Sequence, residues 1–264
     1  MTKHLFDHDM SADLSFALDV CKRSGEVALK YFKTGVKVTM KPDNTPVTLA
    51  DQDCEKLIRE AISSRFPDDA MLGEEEGESS HSKQAQRKWI IDPIDGTYNF
   101  ARGTPLFSVL LALEEKGEIK IGVVHNPATA DFYYAEKGAG AYRNGQSINV
   151  SQIERVEDSL FLFGGPNRFL QAGLWDGFTR LIEKSYRQRG VGDYLNFAYV
   201  FEGRGEAALE VGLYPWDLAP MKIIVEEAGG KFSDLDGNPS VYTGNCIVSN
   251  GKVHDAYLRL LKNP

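Results

Sequence analysis

Cysteine is scarce in this chain: three in 264 residues, Cys21, Cys54 and Cys246, with no Cys-x-x-Cys spacing. An odd, scattered set does not make a disulfide frame, and it suits reduced thiols in a cytoplasmic protein. No apolar run approaches the ~20 residues of a membrane span; the longest, Phe107–Leu113, has the length of a buried strand. Positive charge is also in short supply. Thirty Lys and Arg against 38 Asp and Glu give a net charge of −8, without the basic stripe of a nucleic-acid surface. Acidity does not exclude phosphate chemistry, because a bound metal reverses the local sign. The first ten residues carry no apolar core of a signal peptide, so no secretory signal is expected. Tandem repeats and low-complexity tracts are absent as well.

What is present is ordinary globular material, 42% hydrophobic and 26% charged, in a chain long enough for one large domain or two intimate ones. Apolar residues at helical spacing predict a helix over 11–33. A short strand is expected at 36–40, a Pro- and Asn-rich loop at 41–46 and a second helix over 48–66, opened by Thr48 with Asp51 as a capping pair. Short apolar segments at 71–73 and 88–91 each deliver acids at their ends. Strands follow near 107–115, 119–125, 131–136 and 140–143, punctuated by Lys116-Gly117 and Asn144-Gly145, an antiparallel run without βαβ alternation. The second half predicts strands at 160–163, 207–211 and 247–249, and helices at 174–186, 193–203, 215–228 and 251–261. A polar connection near 148–158 divides the chain into 1–150 and 151–264, two subdomains expected to share one sheet system in an α+β or layered α/β class.

The strongest motif is Trp89-Ile-Ile-Asp-Pro-Ile-Asp-Gly-Thr97. An apolar strand ends in Asp92, Pro93 is expected to force a turn, Asp95 follows, and Gly96-Thr97 opens a helix. Paired carboxylates after a buried strand can share a hard divalent cation, and the amides of Gly96 and Thr97 can face a phosphate; a capped acidic surface turn is the plainer alternative. Leu72-Gly-Glu-Glu-Glu76 and Pro215-Trp-Asp217 add further acids at element ends. Each alone reads as a solvated charge or a helix-dipole partner. Together, Glu74, Asp92, Asp95 and Asp217 make the ligand inventory of a two-metal phosphoryl-transfer site. No cysteine has an arginine six residues on, which removes one class of phosphatase, and the five histidines are scattered and receive no role. Asp234-Leu-Asp-Gly237 lacks the apolar strand that an aspartyl nucleophile needs and reads as a surface turn.

Gly73-Glu74-Glu75, Asp92-Pro-Ile-Asp-Gly-Thr97, Trp216-Asp217 and Thr45-Pro-Val-Thr-Leu-Ala-Asp51 occur in the order found in the inositol monophosphatase-like superfamily, and the chain resembles it over roughly 12–260. The resemblance implies an αβαβα sandwich, Mg²⁺ dependence with two or three ions, lithium sensitivity and a homodimer. It also implies roles: Glu74, Asp92 and the Ile94 carbonyl on one metal, Asp92, Asp95 and Asp217 on the second. Glu74 would also face a weaker third ion, Asp51 would pair with Thr97 to orient the attacking water, and Asp95, Gly96 and Thr97 would meet the phosphate. Metal-lowered water pKa and charge neutralisation then suffice without a protein nucleophile.

Within the superfamily, Gly192-Asp193 resembles histidinol-phosphate phosphatases, where inositol monophosphatases place a small residue. Histidinol phosphate carries an amine and an imidazole, for which a carboxylate is a fitting partner. The resemblance also implies substrate contacts for Arg189, which matches an arginine of the histidinol enzymes, and for Glu210, which matches an acid used across the superfamily. Asp193 as a helix cap and Glu210 as a strand-end charge remain the plainer alternatives. Tyr194-Leu-Asn196 and Tyr98-Asn-Phe100 depart from the histidinol pattern. The expected function is a histidinol-phosphate phosphatase acting on a small phosphate monoester, with no nucleic-acid or membrane partner. Inositol monophosphatase, a nucleotide 3′-phosphatase and a binding partner in transcription complexes stand as alternatives.

Overall fold

Helix α1 (Ala12–Tyr31) starts where Ser11 accepts the Leu14 amide at 3.0 Å, and its apolar stripe lies on the first of two sheets. The computed structural model describes residues 10–34, 39–40, 46–79 and 85–262; the strand expected at 36–40 and the loop at 41–46 fall largely outside these. Strands β1 (Thr39–Met40) and β2 (Pro46–Val47) pair briefly before α2 (Leu49–Arg65). Then come β3 (Ala70–Gly73), β4 (Gly77–Glu78), β5 (Arg87–Asp95), α3 (Thr97–Ala101), β6 (Ser108–Glu115), β7 (Glu118–Asn126), β8 (Asp131–Glu136), β9 (Ala141–Arg143) and β10 (Gln146–Ile148). The second half comprises β11 (Leu160–Phe163), α4 (Pro166–Gln171), α5 (Trp175–Lys184), β12 (Arg187–Arg189), α6 (Asp193–Phe201) and β13 (Ala207–Val211). It closes with α7 (Pro215–Glu227), β14 (Lys231–Ser233), β15 (Asn245–Ser249) and α8 (His254–Lys262).

The halves do not share a sheet, contrary to the expectation from sequence. One sheet has the order β10-β9-β8-β7-β6-β5-β3-β4, the other β12-β11-β13-β15-β14. Side-chain alternation sets the layers. Trp89, Ile91, Leu111 and Val123 pack with Leu14, Leu18, Ile58 and Ile62 of α1 and α2. Ile90, Leu110 and Val124 face the other way and meet Phe197, Leu218 and Ile224 of α6 and α7, together with Ala208 and Val248 of the second sheet. Phe161, Leu209 and Ile247 on that sheet's outer face are covered by Phe178, Tyr257 and Leu261. The result is helix, sheet, helix, sheet, helix, the layered fold expected.

Gly122 explains how closely α7 crosses β7. A Cβ there would lie 2.5 Å from Ile223 Cγ2 and 2.8 Å from the Pro220 carbonyl, so only glycine admits the helix whose first turn holds Asp217. Both hairpin cues form as read: Lys116 (φ 52) with Gly117 (φ 79), and Asn144 (φ 49) with Gly145 (φ 82), the left-handed pairs of a type I′ turn. Pro93, however, makes no turn. β5 continues to Asp95 through a bulge, where a residue without an N–H leaves no ladder bond unmade. The brief elements β10, β12, β14 and α4 were not anticipated, since three to six residues carry no readable period.

Candidate active site

The bulge in β5 decides where the acids point. In a flat strand Asp92 and Asp95, three residues apart, would face opposite sides. Here Asp92 pairs with Leu110 and Asp95 with Ser108, and those partners share a face, so the extra residue turns both carboxylates toward α6 and α7. Asp217 arrives from the first turn of α7, where its Oδ2 accepts the Tyr214 amide at 2.6 Å. Ligand oxygens of Asp92, Asp95 and Asp217 all lie within 4.8 Å of one another. Asp92 is buried, and its Oδ1 accepts the Ile94 amide at 3.0 Å. Asp95 Oδ2 accepts Ser108 Oγ at 3.2 Å and the Tyr194 amide at 2.9 Å.

Burial, then Glu74, Asp95 and Asp217, holds the Asp92 carboxyl well above the usual carboxylate range. Burial, then Asp193 and Asp217, does the same to Asp95. Asp217 is pushed up to about 7, chiefly by burial and then by Glu74, although the Tyr214 amide pulls it down. Such a set fits a hard divalent cation, which supplies the positive charge that these oxygens otherwise draw from protons. Glu74 follows β3, its amide donates to the Ile91 carbonyl at 3.2 Å, and it lines the same cavity as the three aspartates. Thr97 Oγ1 lies 3.0 Å from the Ile94 carbonyl and 3.1 Å from Asp51 Oδ1, two alternative acceptors for its single proton.

The two oxygens of the Asp51 carboxylate let it reach both Thr48 and Thr97. Oδ2 takes the Thr48 amide at 2.9 Å and hydroxyl at 2.6 Å, closing the capping box; Oδ1 lies 3.1 Å from Thr97 Oγ1. Burial pushes Asp51 up to about 6 against the pull of Thr48.

A cavity of about 1530 Å³ opens from this cluster into the second half, lined by Gly96, Thr97, Arg168, Asp193, Glu210 and Asp217 among others. Asp193 does not cap α6. Its backbone is left-handed at φ 48, its Oδ2 accepts Asn99 Nδ2 at 2.5 Å, and the α6 N-terminus is bonded instead by Asp95. Glu210 is buried on β13, accepts Asn196 Nδ2 at 2.7 Å, and is pushed up to about 7 by burial. Arg189 is not brought in. It is exposed, donates to the neighbouring Gln188 carbonyl at 2.7 Å, and lies at the end of β12 outside the cavity lining. Among the described residues the lining cation is Arg168 of α4, which sequence reasoning missed; its one cue is Pro166 at the helix start after Gly164-Gly165. Asp234 holds the amides of Asp236 and Asn238 at 2.9 and 2.8 Å, the tight turn expected. All three cysteines are free and buried.

Residues 9–263 match the model of the inositol monophosphatase family, and the chain belongs to that family of metal-dependent phosphatases. It is 40% identical to a histidinol-phosphatase of Chlorobaculum parvum, over 91% of this chain and 92% of that one. It is 34% identical to an inositol-1-monophosphatase of Mesorhizobium japonicum, over 96% and 97%. The solved structure of the extragenic suppressor protein suhB from Bartonella henselae superposes with a TM-score of 0.89 at 30% identity, covering 96% of this chain and 99% of that one. Among the described residues no helix is long and apolar enough to cross a membrane.

Proposed function

We propose that this chain is a Mg²⁺-dependent phosphomonoesterase whose substrate is histidinol phosphate. Glu74, Asp92, the Ile94 carbonyl, Asp95 and Asp217 would hold the ions, which, when bound, neutralise phosphoryl charge and make water acidic enough to attack at neutral pH. Thr97 Oγ1, donating to Asp51 Oδ1, keeps lone pairs for a water on the cavity side, and Asp51 takes up its proton through that hydroxyl. The Gly96 and Thr97 amides, with Asp95 beside them, meet the phosphate. Asp193 and Glu210 face the leaving alcohol.

One observation carries the substrate: two carboxylates beyond the metal cluster, Asp193 and Glu210, line the same cavity, with Arg168 as the lining cation. A neutral polyol gains little from that surplus of negative charge; an alcohol bearing an amine and an imidazole gains charge-assisted bonds. The names of similar proteins, histidinol-phosphatase at 40% identity among them, support this reading. A cytoplasmic homodimer belongs to it, with three buried thiols suited to a reducing compartment.

Histidinol phosphate and inositol 1-phosphate are assayed in parallel with Mg²⁺. The expected kcat/KM is at least about tenfold higher for histidinol phosphate, the worth of one charged hydrogen bond. The reverse order turns the reading to inositol phosphates. Turnover of neither, with RNA polymerase co-purifying, turns it to a transcription-complex partner.

A further inference from the structure

Asn196 is fully buried between the two recognition acids, and its side chain uses every hydrogen-bonding position it has. Its Oδ1 accepts the backbone amides of Val191 at 3.1 Å and Gly192 at 3.2 Å. Its Nδ2 donates to the Phe163 carbonyl at 3.0 Å and to Glu210 Oε1 at 2.7 Å. The backbone partners fix the amide's orientation. Two N–H groups demand the oxygen on one side and a carbonyl demands the nitrogen on the other, so Glu210 meets a donor.

The other carboxylate oxygen of Glu210 occupies the space where Gly164 has no side chain; a Cβ there would sit 1.8 Å from Oε2. The tethered turn leads directly into Asp193, held at φ 48, a conformation that a non-glycine residue keeps only when its surroundings fix it. Arg168, Asp193 and Asp217 line the same cavity as Glu210 and act on its charge, and the Asn196 donor holds the carboxylate against them.

We propose that Asn196 is the positioning residue of leaving-group recognition: its nitrogen fixes Glu210 in the cavity wall while its oxygen fixes the turn that carries Asp193, so the two acids are held as one unit. The proposal rests on the phosphatase reading above and deepens it, naming the residue that acts through Glu210 without touching substrate.

Wild-type protein, Asn196→Ala, Glu210→Gln and the double variant are assayed with Mg²⁺ on histidinol phosphate and on glycerol 2-phosphate, with melting temperatures measured alongside. Asn196→Ala is expected to raise KM for histidinol phosphate about tenfold more than for glycerol 2-phosphate, with kcat changing less. In the Glu210→Gln background the same change should add less than about twofold, because its partner's charge is already gone. Asn196→Asp keeps an acceptor for the Val191 and Gly192 amides but brings no N–H to Glu210, and should show the same selective rise.

Equal losses on both esters, or losses that add to those of Glu210→Gln, mark a merely structural asparagine and overturn the proposal. Wild-type behaviour of Asn196→Asp overturns it too, since the turn's bonds would then carry the effect, as does a Glu210→Gln variant with unchanged KM. Should Asn196→Ala fail to fold, Asn196→Asp in the two backgrounds supplies the same cycle. If the wild type shows no preference for histidinol phosphate, the substrate reading fails by itself. The cycle is then run on inositol 1-phosphate, where additivity overturns the tether and its absence sustains it.

Discussion

The two halves of the cavity place their acids by different means. On the eight-stranded sheet the main chain does it: the β5 bulge turns Asp92 and Asp95 to one face, and Glu74 follows the end of β3 beside them. On the side of the five-stranded sheet, side chains do it. Asn99 holds Asp193, Asn196 holds Glu210, and a missing Cβ at Gly164 leaves Glu210 its room. Placement by main chain survives substitution of the acid itself, so a change there removes chemistry and leaves shape. Placement by tethers does not survive loss of a neighbour, so the side proposed for leaving-group recognition can be damaged from one residue away.

The largest effect should come from the metal side. Asp92→Asn keeps the bulge and the shape of the side chain, yet removes the charge assigned to both ions. Losing that stabilisation should cost roughly 3 kcal/mol or more, on the order of a hundredfold in rate, on every phosphate ester tried. The folded state should persist, because one of several mutually repelling carboxylates has gone. Steady-state rates with and without Mg²⁺, beside a melting curve, decide it; full activity in metal-free buffer would end the two-metal reading.

On the recognition side the loss should depend on substrate. Asp193→Ser removes a charged partner worth ~1.5–3 kcal/mol and should lower kcat/KM for histidinol phosphate by about one to two decades, with a much smaller change on glycerol 2-phosphate. Equal losses on both would mean that Asp193 supports the site through Asn99 alone. Gly164→Ala removes no charged group but drives a methyl into Glu210 Oε2 at 1.8 Å. The carboxylate must move, and KM for histidinol phosphate should rise roughly tenfold, the equivalent of one charged hydrogen bond. An unchanged KM would show that Glu210 is not held where recognition needs it.

The same contrast explains what was legible in the sequence. Asp92, Asp95, Gly96 and Thr97 are contiguous, and a strand-end motif is visible because local main-chain geometry brings it together. Thr48 with Asp51 was readable for the same reason. Even there the mechanism of placement was misread, since Pro93 sits in a bulge and not a turn. The recognition side joins residues far apart in the chain: Asn99 with Asp193, and Asn196 with Glu210. Nothing local marks Arg168, and Arg189 was carried over from a resemblance although the exposed end of an edge strand holds it. The separate sheets escaped notice because a helix pair, α6 and α7, fills the space between them, and a shared core reads from sequence like a shared sheet.

The smallest effect concerns stability, where two buried sets of groups respond to pH in opposite directions. Asp51, Glu210 and Asp217 titrate at about 6, 7 and 7 in the folded chain, above their unfolded values. The stability that they contribute is present at low pH and is lost as pH rises through those values, so metal-free protein should weaken from pH 6 to 7.5. Mg²⁺ binds the ionised form and should flatten that decline. His254 works the other way. Its Nε2 donates to Ser233 Oγ at 2.9 Å, whose own proton goes to the Asp234 carbonyl at 2.7 Å. Its Nδ1 lies 2.8 Å from Ser249 Oγ, which also accepts the Gly251 amide at 3.1 Å. Burial disfavours the charged imidazole and lowers it to about 4. A histidine depressed from 6.5 to about 4 contributes stability that is present above pH 6.5 and lost as pH falls toward 4. Between pH 7.5 and 6 the loss is about 1 kcal/mol, and the stacked His125, also lowered to about 4, adds a similar amount. With Mg²⁺ present the melting temperature should therefore fall on acidification, and His254→Gln, which has no proton to gain, should show a shallower fall over the same interval. A variant as steep as the wild type would remove His254 from the acid limb and leave His125 to account for it.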